Sequence, residues 1–191
     1  MQLGILGSGA GSNALAVMDA IERGSLDARV ACVISDRSEA PLLEHARRRS
    51  VPAYHVDASP YKTKLAGTAE ARTIALLREH RVEWVLLAGF MRIVKDGLLE
   101  AFPQRILNIH PSLLPAFPGL RAWEQALDYG VKITGCTVHL VDQGIDTGRI
   151  LVQRAVPVFE NDTPDTLHRR IQDNEHIAYP EAIRLVMEGA Y

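Results

Sequence analysis

The sequence has only two cysteines, which argues against a disulfide-stabilised secreted scaffold. Cys32 and Cys136 stand singly among apolar residues, and we expect both to be buried free thiols. No apolar run approaches the roughly 20 residues needed to cross a bilayer, and no signal peptide precedes the first strand-like segment, so no membrane association and a cytoplasmic location are expected. A formal net charge of −2 provides no basic excess for nucleic acid. The seven histidines show no metal-ligand spacing, so no metal site is predicted.

The chain does contain a regular alternation of apolar strands and amphipathic helices. Strands are predicted at residues 3–6, 30–34, 51–56 and 83–88, each followed by a helical pattern. The run at 83–88 is almost wholly apolar, which is typical of a strand covered on both faces of a parallel sheet. With no internal repeat or linker, residues 1–191 are predicted to form one doubly wound α/β domain.

A glycine-rich loop, Gly7 to Asn13, follows the first strand and precedes a helix, as in phosphate-binding βαβ units. Glycines let backbone N–H groups converge on an anion, and Ser12 or Asn13 can cap the helix. A dinucleotide-binding loop needs the spacing G-x-G-x-x-G, but Ser12 stands at the sixth position here, although Asp36 could act as its ribose-binding acid. The loop therefore favours a single phosphate monoester over a dinucleotide, and a structural turn is a third interpretation.

The segment 106–119 places two polar side chains in an apolar strand. Asn108 and His110 alternate with Leu107 and Ile109, so both are predicted to point to one face, about 7 Å apart. Three prolines then hold the chain after His110 extended. An amide and an imidazole on a stiff strand end suit the polarisation of a carbonyl and the movement of a proton. The alternative is a pair of core side chains hydrogen-bonded to backbone.

Residues 89–94 expose large apolar groups at the carboxyl end of a predicted strand, where open α/β sheets bind ligands. A flat heterocycle would fit there, and an apolar helix start is the alternative. Either Lys62 or Lys64, in the loop before the third helix, could complete a phosphate site, or both could be solvated. These segments make the carboxyl edge of the sheet the predicted ligand-binding region.

Lys132 to Val141 is a long alternating predicted strand, and its length without a crossover suggests mixed, partly antiparallel pairing. His139 within it is interpreted as a hydrogen-bonded structural residue. The loop that follows, 142–148, contains two aspartates and two glycines. Asp146 could pair with an imidazole, although turn chemistry would explain the same composition.

Four motifs occur in order along the chain: Ser8-Gly-Ala-Gly-Ser-Asn13, Ala88-Gly-Phe-Met-Arg-Ile93, Asn108-Ile-His-Pro-Ser-Leu-Leu-Pro115 and His139-Leu-Val-Asp-Gln-Gly-Ile-Asp146. Together they resemble the phosphoribosylglycinamide formyltransferases, folate-dependent enzymes of purine synthesis. The resemblance covers nearly the whole chain and implies a Rossmann-like formyltransferase fold, with a phosphate-binding half of about residues 1–100 and a folate and catalytic half of about 101–191. It implies 10-formyltetrahydrofolate as donor and glycinamide ribonucleotide as acceptor, with a homodimer possible.

The resemblance also implies roles for particular residues. The implied catalytic set is Asn108, His110 and Asp146. The residues implied to bind the phosphorylated substrate are Gly11, Ser12, Asn13, Lys64 and Glu175. The residues implied to bind the folate are Met91, Arg92, Ile93, Val94, Leu107, Asp142 and Asp146. The chain departs from the family pattern at Arg121 and Trp123, where many members have histidines, and at Arg149, where proline is usual.

Several other functions are considered beside formyl transfer to glycinamide ribonucleotide. They are a nicotinamide-dependent oxidoreductase, a hydrolase that releases formate from formyltetrahydrofolate, a formyltransferase acting on another amine, and a folate-binding module without activity. The broken dinucleotide fingerprint argues against the first, and the set of Asn108, His110 and Asp146 argues against the last.

Overall fold

The computed structural model describes all residues, 1–191, and has seven strands and six helices. In chain order these are β1 (Gln2–Leu6), α1 (Ser12–Glu22), β2 (Arg29–Ser35), α2 (Pro41–Arg48), β3 (Ala53–His55), α3 (Gly67–Glu79), β4 (Trp84–Leu87), α4 (Asp96–Ala101), β5 (Ile106–His110), α5 (Ala122–Tyr129), β6 (Ile133–Leu140), β7 (Ile150–Pro157) and α6 (Pro164–Glu188). All strands form one sheet in the order β3-β2-β1-β4-β5-β6-β7. The first five are parallel, and β6 is antiparallel to both β5 and β7. The predicted α/β fold with a mixed, mostly parallel sheet is confirmed.

The two faces of the sheet are covered unequally. One face packs against α1, α2 and α6, through side chains such as Leu86, Val138 and Ile183. The other face packs against α3 and α4, but that second core contains no residue of β6 or β7. Two loops, residues 111–121 and 141–149, lie against the second face at β5 and β6 instead. Asn108 and His110 lie on this part of the sheet, which loops cover in place of a helix.

The chain reverses its direction of travel across the sheet at β1, which lies between β2 and β4. Such a switch point opens a crevice at the carboxyl ends of the strands. The glycine loop after β1 and residues 89–94 after β4 form its two sides. They are joined by hydrogen bonds from Ser8 N to Gly89 O, 3.1 Å, and from Met91 N to Ser8 Oγ, 2.9 Å.

Helix α6 packs across one face of the sheet. A capping box between Thr163 and Thr166, with Pro164 in the first turn, fixes its start. The sequence predicts that Pro180 breaks or kinks this helix. The prediction of a break is wrong, because α6 continues through Pro180 to Glu188. Pro180 is buried, and beside it the hydroxyl of Tyr179 lies 3.0 Å from Leu87 O and 3.1 Å from Leu107 O, fastening the helix to β4 and β5.

Strand β3 is shorter than the predicted 51–56, because Val51 N donates to Ala46 O at the end of α2 and is not free to pair in the sheet. Cys32 and Cys136 are buried and free, as predicted, and burial raises the pKa of each thiol to about 12. None of the six helices combines the length and the apolar content that a membrane crossing requires.

Candidate active site

Asn108, His110 and Asp146 meet on the loop-covered face of the sheet. Asp146 Oδ2 lies 3.4 Å from His110 Nδ1, and Asp146 Oδ1 lies 3.5 Å from Asn108 Nδ2. The side chains of His110 and Asp146 are only 6% and 12% exposed, so solvent ions screen their interaction little. One carboxylate therefore faces an amide and an imidazole at the same time.

The backbone of the loop holds Asp146 in this position. Asp146 has a φ of +55°, in the left-handed region that aspartate tolerates better than most residues. Its Oδ2 accepts a hydrogen bond of 2.8 Å from Gly119 N, in the loop after β5. A Cβ at Gly148 would collide with Leu140 O, so the turn back toward β7 requires glycine there. The two loops thus fix the carboxylate from both sides.

The hydrogen bonds of His110 define its proton positions. Its Nε2 lies 2.9 Å from Phe117 O, and because a carbonyl can only accept, Nε2 carries a proton. The other nitrogen, Nδ1, faces the carboxylate of Asp146. That contact is attractive only when Nδ1 also carries a proton.

His139 lies directly beside Asn108, opposite it in the β5–β6 pairing. Its Nδ1 donates to Leu140 O at 2.8 Å, which leaves Nε2 to accept from Asn108 Nδ2 at 3.1 Å. Burial lowers the pKa of His139 and so favours this neutral form. His139 is hydrogen-bonded as predicted, and it also orients the Asn108 amide so that one N–H points toward the space beside Asp146.

Asn13 and Glu175 are joined by a buried hydrogen bond of 2.8 Å from Asn13 Nδ2 to Glu175 Oε2, across 162 positions of sequence. Burial raises the pKa of the Glu175 carboxyl, and the bond from Asn13 partly offsets that rise. Asn13 Oδ1 is buried without a partner, and no hydrogen bond within the chain uses Glu175 Oε1. The pair therefore has acceptor oxygens free at the carboxyl edge of the sheet, where the glycine loop begins.

The glycine loop presents the N-terminus of α1. Gly11 has a φ of +79°, and a Cβ there would approach Leu42, so both conformation and space favour glycine. No side chain caps the helix. The amides of Ser12, Asn13 and Ala14 donate to no acceptor within the chain, and they carry the positive end of the helix dipole.

Residues 89–94 end β4 with a mixture of exposed and buried side chains. Met91 is 52% exposed, whereas Val94 is buried among the apolar residues of the second face. The side chain of Leu107, which the family resemblance implies as a folate contact, is fully buried in the core on the α6 side. Strand alternation places Ile106 on the face of Asn108, and Ile106 packs in the same cluster as Val94.

Arg92 and Lys64 occupy neighbouring segments of the same edge. Arg92 Nε donates to Asp36 Oδ2 at 2.7 Å, so Asp36 is not free to act as the ribose-binding acid of a dinucleotide site. Ile93 forms an isolated parallel bridge with Lys64. The Lys64 ammonium lies 5.1 Å from the centre of the Tyr61 ring. Lys64 is therefore placed beside residues 89–94 by backbone pairing.

Asp142 contacts only its own loop, accepting from Gly144 N at 3.0 Å and from Thr147 Oγ1 at 2.7 Å. At the positions that depart from the family pattern, Arg121 is exposed and lies 3.3 Å from Glu124. Trp123 stacks on His168 with ring centroids 3.8 Å apart. Neither position contributes a side chain to the contacts around Asp146.

Sequence reasoning missed the residues that hold the loop after β5. Thr137 Oγ1 donates to Ser112 O at 2.7 Å and accepts from Leu114 N at 3.0 Å. Gln153 Nε2 lies 3.0 Å from the same hydroxyl and 2.9 Å from Leu114 O. Only the alternation of β6, which places Thr137 on the face of His139, could have indicated this buried network.

Comparison with known proteins defines the class to which this fold and site belong. The formyl transferase family model matches residues 1–183, and the chain belongs to that family. Among named relatives, phosphoribosylglycinamide formyltransferase of Bacillus subtilis is 42% identical over 183 residues, 96% of this chain and 93% of that protein. The trifunctional purine biosynthetic protein adenosine-3 of Chironomus tentans is 42% identical over 98% of this chain, which spans 14% of that protein. The crystal structure of glycinamide ribonucleotide transformylase 1 from Symbiobacterium toebii superposes with a TM-score of 0.94 and 52% identity, covering 99% of this chain and 88% of that one.

Proposed function

We propose that this chain transfers the formyl group of 10-formyltetrahydrofolate to the primary amine of glycinamide ribonucleotide, a step of purine synthesis. The observation that carries the proposal is the buried contact of Asp146 with both His110 and Asn108. Membership of the formyl transferase family and the names of the similar proteins give the reaction class and the acceptor. The proposal includes two small-molecule substrates, a cytoplasmic location for the protein and a possible homodimer.

The acceptor's phosphate is assigned to the start of α1. The free amides after Gly11 and the helix dipole both favour an anion there, and Ser12 and Asn13 belong to that first turn. Lys64 is assigned as a second contact with the phosphate. Glu175 is assigned to a ribose hydroxyl or the amine through Oε1, which no residue of the chain occupies.

The donor's pterin ring is assigned to residues 91–94, with Ile106 and Val94 as apolar contacts on that face. Backbone groups of residues 91–94 and of the loop from Asp142 to Asp146 would form hydrogen bonds with the polar edge of the pterin ring. This position brings the formyl group toward the face that carries Asn108 and His110. Small-molecule sites commonly combine such an apolar floor with a few fixed polar groups.

The chemistry begins with attack of the amine nitrogen on the formyl carbon. An α-amino group has a pKa of about 8, so a useful fraction is neutral at pH 7 and no strong base is needed. The Asn108 amide donates from Nδ2 to the oxygen that becomes negative, and one such donor is typically worth about 3 kcal/mol. Both N–H groups of a protonated His110 face Phe117 O and Asp146, so His110 stabilises that oxygen through its positive charge. Asp146 fixes the orientation of His110, accepts the proton released by the new ammonium and returns it, directly or through water, to the departing folate nitrogen.

A transfer assay with both substrates tests the proposal. Following the deformylated folate by absorbance should show turnover that depends on glycinamide ribonucleotide. Formate released at an equal rate without the amine would identify a formyltetrahydrofolate hydrolase instead. Turnover with other primary amines but not with glycinamide ribonucleotide would indicate a different formyltransferase.

A further inference from the structure

An ion pair outside the proposed reaction joins the ends of β2 and β4. Asp36, the residue after β2, and Arg92, in the segment after β4, are linked by the 2.7 Å bond from Nε to Oδ2. Their side chains are only 4% and 16% exposed. Asp36 Oδ1 is buried without a partner of its own. Arg92 is therefore the side chain that forms both the hydrogen bond and the ion pair with the Asp36 carboxylate.

Arg92 also reaches a third segment, because its Nη1 donates to Tyr61 O. Next to it, Ile93 N donates to Thr63 O at 2.9 Å, and Leu65 N donates to Ile93 O at 3.0 Å. The guanidinium thus spans the end of β2, residues 89–94 and the loop that carries Lys64. The proposed function assigns the donor to residues 89–94 and a contact with the acceptor phosphate to Lys64 in that loop.

We propose that Asp36 is a positioning residue that acts through Arg92 to hold residues 89–94 in the geometry that binds the formyl donor. The donors of a guanidinium lie in one plane at fixed angles. The carboxylate bound at Nε therefore determines the direction in which the two Nη groups donate. With Asp36 in place, the Arg92 side chain links the end of β2 to the loop that carries Lys64, and the carboxylate largely neutralises its charge. This inference rests on the proposed function for its kinetic readout but not for its structural one.

The test compares Asp36→Asn with the wild-type chain by two measurements. Hydrogen exchange of the peptide containing residues 89–94 should be faster in the variant, whether or not the chain is a formyltransferase. In the transfer assay, the KM for the formyl donor should rise about tenfold with kcat changed less than about threefold, because binding geometry is altered and the reacting groups are not.

Asp162→Asn is the matched control. Asp162 and Arg170 form a 2.7 Å pair with side chains 3% and 26% exposed, and the other hydrogen bonds of Asp162 go to Phe159 and Thr166, outside the candidate site. It should lower the melting temperature without altering exchange at 89–94 or the donor KM. A general loss of stability would therefore show in both variants, whereas a positioning effect shows only in Asp36→Asn.

A double-mutant cycle with Arg92→Met tests whether Asp36 acts through Arg92. If it does, the donor KM of Asp36→Asn/Arg92→Met should equal that of Arg92→Met alone, instead of the product of the two single effects. Wild-type exchange at 89–94 in Asp36→Asn, or a donor KM within twofold of wild type, would overturn the inference. Absence of transfer in the wild-type chain would overturn the proposed function, and the exchange measurement would still decide the role of Asp36.

Discussion

Replacing Asp146 by asparagine removes the charge that faces His110 while preserving the shape of the side chain. Asparagine also tolerates the φ of +55° found at this position, so the backbone of the loop should be kept. At a separation of 3.4 Å, the attraction between a carboxylate and an imidazolium is about 1.2 kcal/mol at a dielectric constant of ~80 and about 5 kcal/mol at ~20. These limits correspond to roughly one decade and between three and four decades of rate.

Because the pair is buried, the expected loss lies above the lower limit and within that interval. We expect Asp146→Asn to reduce kcat by roughly two to three decades, with the KM for folate nearly unchanged, because proton transfer is impaired and the donor contacts are not. Steady-state kinetics with each substrate varied in turn measures both quantities. Asp162→Asn, an aspartate of similar burial outside the site, controls for lost stability. Turnover at the wild-type rate in Asp146→Asn would refute the role given to the carboxylate.

Three further predictions concern binding and stability. Asn13→Asp should raise the KM for the phosphorylated amine far more than that for folate, through repulsion of the phosphate, and equal changes in both would count against the assigned phosphate site. Tyr179→Phe removes the hydroxyl that Leu87 O and Leu107 O share, which should cost about 0.5–1.5 kcal/mol and lower the melting temperature by roughly 1–6 °C; an unchanged melting curve would contradict this. His139 is neutral in the fold with a pKa below its ordinary value of 6.5, so the unfolded chain binds the proton first and the free energy of unfolding should fall as pH drops below about 6.5, by at most about 1.4 kcal/mol per pH unit. Denaturant titrations at several pH values give the free energy of unfolding at each pH. A plot of this free energy against pH should be less steep for His139→Gln than for the wild-type chain, and equal steepness would exclude the contribution of His139.

Local pattern is sufficient to predict the residues whose placement depends only on their own strand. Asn108 and His110 share a face because strand side chains alternate, and the glycine loop is recognisable because it stands between a strand and a helix. The same alternation places the side chain of Ile106 on the face of Asn108 and that of Leu107 on the opposite face, as the two core clusters show. The mixed sheet was predictable for a similar reason, since the long strand that became β6 has no crossover of its own.

Pairs that join distant segments could not be predicted in this way. The bond between Asn13 and Glu175 depends on how α6 crosses the sheet, and the approach of Asp146 to His110 depends on the register of β5 against β6. The continuity of α6 through Pro180 was also beyond local reasoning. Pro180 lacks the backbone N–H that a helical residue donates, and the packing of this segment against the core compensates for the lost hydrogen bond. Helix propensities describe single residues and do not include such packing.

The absence of a helical layer over β5 and β6 on one face has a consequence for how such an enzyme can change. On that face the cover consists of two connecting segments, residues 111–121 and 141–149, and neither contributes to the large apolar core on the other face of the sheet. Substitutions at exposed positions of those segments, such as Leu120 and Ile145, should therefore change the surface of this cover while the free energy of unfolding, set mainly by buried residues, is nearly preserved. The surface of the cover beside Asn108 and His110 can in this way vary with little effect on the packing that holds the sheet and its helices together.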